Sequence, residues 1–592
     1  MTLNAADWLI ILVYFATSAA IGIAYTGRGS RSLADYFASG RSLPWWLAGT
    51  SMVATTFAAD TPLAVAGLVA KHGVAGNWLW WNGAVSGILT VFFFARLWRR
   101  AGVLTDVEFA ELRYGGRPAA VLRGFRALYL ALPVNLIIMG WVTRAMVTIL
   151  GITLDLNPWV AAVGLFVLTA AYSTLSGLWG VIVTDAFQFV VAMIGSIVLA
   201  VLAVEAVGGL DALLAGATAH FGSAEAAFGV IPSGGEAWLP ASTLIVFLAV
   251  QWWAAWYPGA EPGGGGYVAQ RILSAKDERH GLLATLWFNI AHYALRPWPW
   301  ILVGFVSVIQ YPGLANPEEG YVRVMVDVLP SPLKGLLLAA FAAAYMSTIS
   351  THLNWGASYL VNDVYLRFIR PDAPTRSQLI ASRVATGLLM VLSLGVMAVL
   401  TSVEQGWKIL IGLGAGTGLV FILRWYWWRI NAWSEISAMA ASLVAAIGLH
   451  FAGVNGGDTA SSDYAIAMLI TVGITTVVWI AVTLLTPPES RETLERFYRR
   501  VRPGGRGWRP VARKLGFGND PTPGGALSWV NWVAGVVAVY AAVFGVGALL
   551  TGTAARGAAY LGVAAAAFAL IQRNLRRDPQ LAAHVDSAPA GA

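Results

Sequence analysis

The 592-residue sequence contains no cysteine and few charged residues. Only 11% of its residues are Asp, Glu, Lys or Arg, whereas soluble proteins contain about 25%. The absence of cysteine excludes disulfides, thiol catalysis and cysteine-ligated metals. The shortage of charge, with 58% hydrophobic residues and a mean hydropathy of +0.67, excludes a soluble enzyme, a disordered chain and a nucleic-acid-binding protein. At roughly 20 apolar residues per crossing, the composition predicts well over ten transmembrane helices.

Long apolar runs mark the predicted membrane spans. Fifteen runs qualify, and they cover residues 7–26, 43–70, 75–97, 121–150, 158–178, 181–206, 238–258, 282–310, 333–361, 377–401, 405–424, 431–452, 464–486, 526–551 and 556–574. The first run is expected to stay in the mature protein. It is preceded by no Lys or Arg and followed by Arg28 and Arg31, the reverse of a signal peptide.

Positive charges indicate how the chain is oriented. If the N-terminus lies outside, most of the 38 Lys and Arg residues fall in connections on the inner side, in keeping with the positive-inside rule. The net charge of +8 therefore serves as an orientation signal and implies no nucleic-acid or acidic protein partner. We expect a multi-pass protein of the inner or plasma membrane, surrounded by membrane lipids, with its N-terminus outside and its C-terminus in the cytoplasm.

The second span has the composition of a broken helix. Small and hydroxyl residues occupy its centre, and Asp60 and Pro62 follow them. Pro62 cannot donate a hydrogen bond to the carbonyl of Ala58, so carbonyls between Ala54 and Ala58 become available to a cation. A simple proline kink is the alternative.

The ninth span offers a matching set of oxygen atoms. Ala344, Ser347 and Thr348 are spaced i, i+3 and i+4 and therefore share one helix face. Two hydroxyls beside a main-chain carbonyl, without a carboxylate, suit a weakly held monovalent cation. The alternative is that both hydroxyls bond to carbonyls of their own helix.

Five motifs occur in a recognisable order. They are RSLPWW at 41–46, ATTF at 54–57, GLWGVIVTDAFQ at 177–188, YVAQRILSAK at 267–276, and AYMST at 344–348 through NDVY at 362–365. Together they resemble the sodium:solute symporter family of sodium-coupled sugar, proline and pantothenate transporters, over about residues 5–425. The resemblance implies an all-α polytopic membrane protein. Its core is a five-plus-five inverted repeat of the leucine-transporter type, with one extra N-terminal helix and about four C-terminal helices.

This architecture divides the chain into five parts. They are an N-terminal extra helix with an inner loop (1–40), the inverted-repeat transport core (41–425), two additional transmembrane helices (426–486), a basic cytoplasmic linker (487–525), and a terminal helix pair with a short tail (526–592). The linker is rich in Pro and Gly, which predicts a hinge.

The resemblance also implies a sodium site, with sodium as the coupling ion and no organic cofactor. Its ligands would be the main-chain carbonyls of Ala54, Phe57 and Ala344 and the hydroxyls of Ser347 and Thr348. Asp185 matches a carboxylate that assists sodium on its way to the cytoplasm. The alternative for Asp185 is a charge that stabilises the N-terminus of its helix.

Polar residues at membrane depth indicate where the solute binds, because burying them in lipid is costly. The candidates are Asp60, Thr61, Asn82, Trp81, Gln251, Tyr267, Asn289, His292 and Arg296. Tyr267 loosely matches a gating tyrosine of sugar symporters. Two purely structural alternatives remain. In the first, Asp60 forms an ion pair with Arg296 or Arg144 in place of a solute contact. In the second, His292 is a packed core residue.

These features favour sodium-coupled secondary active uptake of a small polar organic solute by alternating access, with a sugar or polyol preferred and a monomer as the functional unit. An enzyme is not expected. The alternatives are sodium-driven uptake of an amino acid or organic acid, a proton-coupled carrier that uses Asp60 or His292, and a membrane solute sensor.

Overall fold

The computed structural model describes residues 3–29, 41–103, 105–173, 178–231, 241–255, 262–454, 461–578 and 581. Within these residues the chain is helical and contains no strand, apart from one isolated bridge between Leu43 and Ala275. Most of the predicted inner loop before residue 41 and the tail from 582 onwards lie outside the described residues.

Each of the fifteen predicted spans contains helix. We number these segments in chain order as α1 (Ala5–Gly29), α2 (Trp45–Thr55 and Asp60–His72), α3 (Val74–Ala101), α4 (Gly116–Leu154), α5 (Pro158–Ser173), α6 (Leu178–Ala206), α7 (241–254), α8 (278–310), α9 (Leu333–Ile369), α10 (Thr375–Val399), α11 (Val403–Gly414 and Gly418–Tyr426), α12 (Ala432–Phe451), α13 (Ser461–Leu485), α14 (Gly525–Leu550) and α15 (Ala554–Arg576).

Many of these helices have the length and the apolar composition of membrane-spanning segments. In the part of the chain that the structure describes, nine helices are long and apolar enough to cross a membrane, and α2 and α11 become two more if each bent pair is one span. Val384 and Val391 on α10 and Val477 on α13 are 65%, 67% and 70% exposed. Exposing these apolar helix faces to water would cost free energy, whereas contact with lipid chains would not.

Among the described residues, α2 and α11 are bent at a break, and the sequence explains how. The halves of α2 meet at 60° across residues 56–59. Pro62 lies in the first turn of the second half, where its missing N–H costs little. The halves of α11 meet at 48°, and Gly416 at the break has a φ of +87°, which glycine tolerates. Helix α7 ends at Ala254, and the helix Gly266–Ser274 follows after a gap.

The basic linker folds onto the core, in contrast to the hinge that its composition predicts. It contains the helices Arg491–Val501, Arg506–Trp508 and Arg509–Lys514. Trp508 is fully buried and donates its indole N–H to the carbonyl of Trp425 at 2.7 Å. The guanidinium of Arg113 stacks on the rings of Phe497 and Trp508. Pro and Gly in this stretch therefore shape tight turns between docked helices.

The terminal pair is attached to the rest of the bundle through α14, which packs against α3, α8 and α15. A buried ion pair fixes its end, because Arg96 Nη2 lies 2.5 Å from Asp578 Oδ2. Both side chains are almost fully buried, so neither charge is solvated by water and each depends on the other.

Candidate functional site

The break in α2 lies against the middle of α9. Its first half packs against α6, α8 and α9, and Thr348 Oγ1 donates to the carbonyl of Thr55 at 3.4 Å. The carbonyl of Ala54 accepts the N–H of Phe57 at 3.0 Å, as a turn rather than as regular helix. All five predicted sodium ligands, Ala54, Phe57, Ala344, Ser347 and Thr348, are buried in this region.

Asp185 joins the two helices that carry these residues. Its carboxylate accepts hydrogen bonds from Ser51 of α2 at 2.8 Å and from Ser347 of α9 at 2.5 Å. The guanidinium of Arg271 lies 3.5 Å from the Ser51 hydroxyl and is close enough to interact with the Asp185 charge. Asp185 itself is fully buried.

The position of Asp185 argues against the helix-terminus alternative. Helix α6 begins at Leu178, so Asp185 lies in its third turn. The helix dipole acts on charges within the first turn. The hydrogen bonds from the two serine hydroxyls, rather than the helix dipole, therefore stabilise the buried Asp185 carboxylate.

A cavity adjoins the break in α2. Its walls come from α2, α3, α4, α7, α8, α9, α11 and the helix Gly266–Ser274. The polar and aromatic lining residues are Thr55, Thr56, Asp60, Thr61, Trp80, Asn82, Trp141, Gln251, Trp252, Tyr267, His292, Tyr293, Arg296, Thr348, His352 and Trp407. Seven of the nine predicted solute residues are in this set.

Trp81 and Asn289 are the two predicted residues that do not line the cavity. Trp81 points away from it and packs against Trp78 and Phe544 of α14. Asn289 donates to the carbonyl of Thr285 at 2.8 Å and lies against α3. Their polar atoms are buried between helices, so the geometry does not bring these two side chains to a solute in the cavity.

Arg296 holds the broken part of α2. It is fully buried and donates to Thr56 Oγ1 at 3.2 Å, to the carbonyl of Val53 at 3.4 Å and to the ring of His292. His292 Nδ1 also lies 3.1 Å from Thr56 Oγ1. Because a protonated imidazole would place a second cation against the guanidinium, this contact favours a neutral His292.

The Asp60 carboxylate lies near this network but is not one of the acceptors named above. Asp60 begins the second half of α2, and the indoles of Trp141 and Trp407 flank it. Its Oδ1 atom is buried and has no hydrogen-bond partner among the described residues. The Arg296 guanidinium interacts with the charge of Asp60, so the structural ion pair between these two residues stays a prediction.

Comparison with known proteins decides the family. A family model described as "Sodium:solute symporter family" matches residues 36–445, more than half of the chain. This chain belongs to the sodium:solute symporter family. It is a multi-pass membrane protein, and membership supports sodium-coupled symport of a small solute.

Individual relatives agree with that assignment. The symporter is 26% identical to a sodium/glucose cotransporter of Vibrio parahaemolyticus, over 75% of this chain and 85% of the relative. It is 26% identical to sodium/myo-inositol cotransporter 2 of Sus scrofa, over 75% and 69% respectively. A solved structure of a Na⁺-coupled sialic acid symporter superimposes with a TM-score of 0.65 at 20% identity, covering 83% of this chain and 99% of that one. The predicted fold class is confirmed.

Sequence reasoning missed several residues that line the cavity of this symporter, notably Trp80, Trp141, His352 and Trp407. Trp141 and Trp407 stand in spans without a polar stripe, where a tryptophan looks like any other apolar residue. Trp80 was indistinguishable from its neighbour Trp81 by spacing alone. The signal that could have found His352 is its position one turn beyond Thr348 on the same α9 face.

Proposed function

We propose that the symporter takes up a sugar or polyol together with sodium across the inner or plasma membrane, by alternating access and as a monomer. The observation that carries the choice of solute is a pair of unmatched acceptors. Asp60 Oδ1 and Gln251 Oε1 are buried beside one cavity and lack hydrogen-bond donors among the described residues. Buried acceptors without donors are costly, and hydroxyls of a polyol would supply the donors.

The aromatic walls support the same class of solute. Trp80, Trp141 and Trp407 line the cavity, and indole faces pack well against the C–H faces of sugar rings. The charges of Asp60 and Arg296 are of opposite sign, which favours a neutral solute over an acid or an amine. Relatives named for glucose and myo-inositol fall in the same class.

For sodium we propose the carbonyls of Ala54, Phe57 and Ala344 and the hydroxyls of Ser347 and Thr348. The donor set is all oxygen, in keeping with a hard monovalent cation. A cation held by α2 and α9 together would stabilise the arrangement of α2 that forms the solute cavity. Asp185 is proposed to receive sodium next, because its carboxylate already bonds Ser347 at 2.5 Å.

Coupling to sodium supplies enough free energy for accumulation. One charge that crosses 100 mV contributes about 2.3 kcal/mol, and a tenfold sodium gradient adds about 1.4 kcal/mol. One sodium ion per cycle therefore supports roughly 500-fold accumulation. We further propose that the N-terminus is outside and the C-terminus cytoplasmic, since this orientation places most Lys and Arg residues inside.

Uptake into proteoliposomes tests the proposal. Purified protein is assayed with D-glucose, myo-inositol, an amino-acid mixture and organic acids, each driven by a sodium gradient or by a pH gradient alone. Sodium-driven uptake of glucose or myo-inositol is expected. Uptake driven by protons without sodium would instead identify a proton-coupled carrier, and uptake restricted to acids or amino acids would overturn the choice of solute.

A matched pair of variants tests the ion site. Thr348→Ala removes a proposed ligand and should raise the sodium half-saturation concentration by about tenfold or more, because a hydroxyl ligand is lost. Thr169→Val is the control, since the Thr169 hydroxyl bonds to the carbonyl of Leu165 in its own helix at 2.8 Å. If Thr348→Ala leaves the sodium dependence of uptake unchanged, the ligand assignment is wrong.

A further inference from the structure

The terminal helix α14 donates hydrogen bonds to the backbone of α3, the helix that carries Trp80 and Asn82 into the cavity. Tyr540 donates its hydroxyl to the carbonyl of Trp81 at 2.9 Å. Two turns earlier in α14, Trp532 donates its indole N–H to the carbonyl of Val85 at 3.0 Å. Side chains of one helix thus satisfy main-chain carbonyls of another.

The Trp81 carbonyl is available because α3 is irregular at this point. It begins as a 3-10 turn, Val74–Asn77, followed by the short helix Trp78–Trp81 and a turn at Asn82. The N–H of Val85 bonds to the carbonyl of Asn82 at 3.2 Å, one residue short of the α-helical partner at Trp81. The carbonyl of Trp81 is left for Tyr540, and buried carbonyls need a donor.

The irregular turn is also the wall of the solute cavity. The Asn82 amide donates to the carbonyls of Trp78 and Leu79 at 2.8 and 3.0 Å, so its orientation depends on the course of this short helix. Gln251 donates to the same Leu79 carbonyl at 3.4 Å. A shift of the turn at Trp81 would move Asn82 and Gln251 together.

Helix α14 contacts α8 as well. Trp298, two residues beyond Arg296 on α8, donates to the carbonyl of Val543 at 2.8 Å. A Cβ atom on Gly547 would lie 2.2 Å from the Trp298 ring, so the two helices are in close contact. The same helix therefore packs against both α3 and α8, two helices whose side chains Trp80 and Tyr293 stack on each other at the cavity.

We propose that Tyr540 is a positioning residue for solute binding. It acts through its hydrogen bond to the Trp81 carbonyl and does not touch the solute. This inference rests on the proposed function, since it assigns α3 to the solute site. Helix α14 thereby becomes a determinant of solute affinity, although it lies outside the inverted-repeat core and outside the sodium site.

Tyr540→Phe tests the inference, because it removes the hydroxyl and keeps the ring. Loss of one hydrogen bond should raise the half-saturation concentration for D-glucose or myo-inositol about 3- to 10-fold, with the sodium half-saturation within twofold of wild type. Hydrogen–deuterium exchange of the purified protein without solute should increase in peptides that cover residues 78–85 and stay constant in residues 333–358.

Two further variants separate this role from general destabilisation. Tyr560→Phe makes the same change on α15, where the ring is 39% exposed, and should alter neither readout. Trp532→Phe removes the bond to the Val85 carbonyl and should raise exchange near residue 85; because the Trp532 ring also packs against Trp252 of the cavity wall, this variant is read by exchange only. If wild-type protein transports neither sugar, the choice of solute fails, and the exchange data alone decide the inference. Unchanged exchange at 78–85, or equal shifts in sodium and solute affinity, would overturn it.

Discussion

Removal of the negative charge at Asp185 should weaken sodium binding much more than it weakens the fold. The carboxylate accepts two hydrogen bonds, from Ser51 and Ser347, at 2.8 and 2.5 Å. It therefore fixes the Ser347 proton and turns the lone pairs of that hydroxyl towards the proposed ion. In Asp185→Asn the amide accepts one of these bonds weakly, and its NH₂ group faces the other hydroxyl.

The size of the effect follows from the kind of bond that is lost. A hydrogen bond to a charged group contributes about 1.5–3 kcal/mol, which corresponds to a change of about 10- to 150-fold in an equilibrium constant. We expect the sodium half-saturation concentration of Asp185→Asn to rise within that range. Ser51→Ala should have a smaller effect, because Ser51 is not a proposed ligand.

Sodium titrations of purified protein provide the assay. Thermal stability is measured from low to high NaCl, with choline chloride keeping ionic strength constant, and uptake into proteoliposomes is measured over the same range. Ser393→Ala is the control, because its buried hydroxyl donates to the carbonyl of Met390 in its own helix at 2.8 Å. A sodium half-saturation of Asp185→Asn within twofold of wild type would refute the reasoning.

Three further outcomes are expected. Burial raises the pKa of Glu318 from 4.5 to about 7, so the stability from this carboxyl is full below pH 4.5 and is lost as pH rises through 7. The melting temperature should fall between pH 5 and 8, and Glu318→Gln should flatten that decline. Asp578→Asn leaves Arg96 buried without its counter-charge and should cost about 3–5 kcal/mol, seen as a lower melting temperature and faster proteolysis of the C-terminal pair. Gly418→Ala would place a Cβ 2.1 Å from the Trp253 carbonyl, so uptake should be lost or strongly reduced.

Each of these has its own contradicting result. A pH profile of Glu318→Gln that matches wild type would show that another group titrates. Asp578→Asn with unchanged stability would mean that water reaches the Arg96 charge. Normal uptake by Gly418→Ala, with Gly412→Ala as a control in open space, would show that the break in α11 tolerates a side chain.

The sequence predicted the spans and most of the cavity for one physical reason. A bilayer forces apolar residues into long runs and makes every polar residue inside them costly, so residues such as Asp60, Gln251 and Arg296 stand out. Pro62 marked the break in α2 because its missing N–H is a local property. The ligands proposed for sodium remain a prediction.

Other features depend on contacts that no local pattern encodes. Trp80 faces the cavity and Trp81 does not, because consecutive residues of a helix point about 100° apart and the packing of α3 against its neighbours decides which of the two faces inward. The folded linker depends on Phe497 and Trp508, which meet Arg113 from nearly 400 residues earlier in the chain. Pro and Gly composition alone is equally compatible with a hinge and with docked helices.

The docked linker limits where the chain can be cut or extended. Arg113 Nε donates to the carbonyl of Arg424 at 2.7 Å, and its Nη2 donates to that of Ile430 at 3.1 Å, while the rings of Phe497 and Trp508 cover its guanidinium. A truncation at residue 486 would uncover this cation and the end of α11 together. Reporter fusions should therefore be attached after Asp578, and C-terminal truncations should end after Asp578, so that the terminal ion pair stays intact.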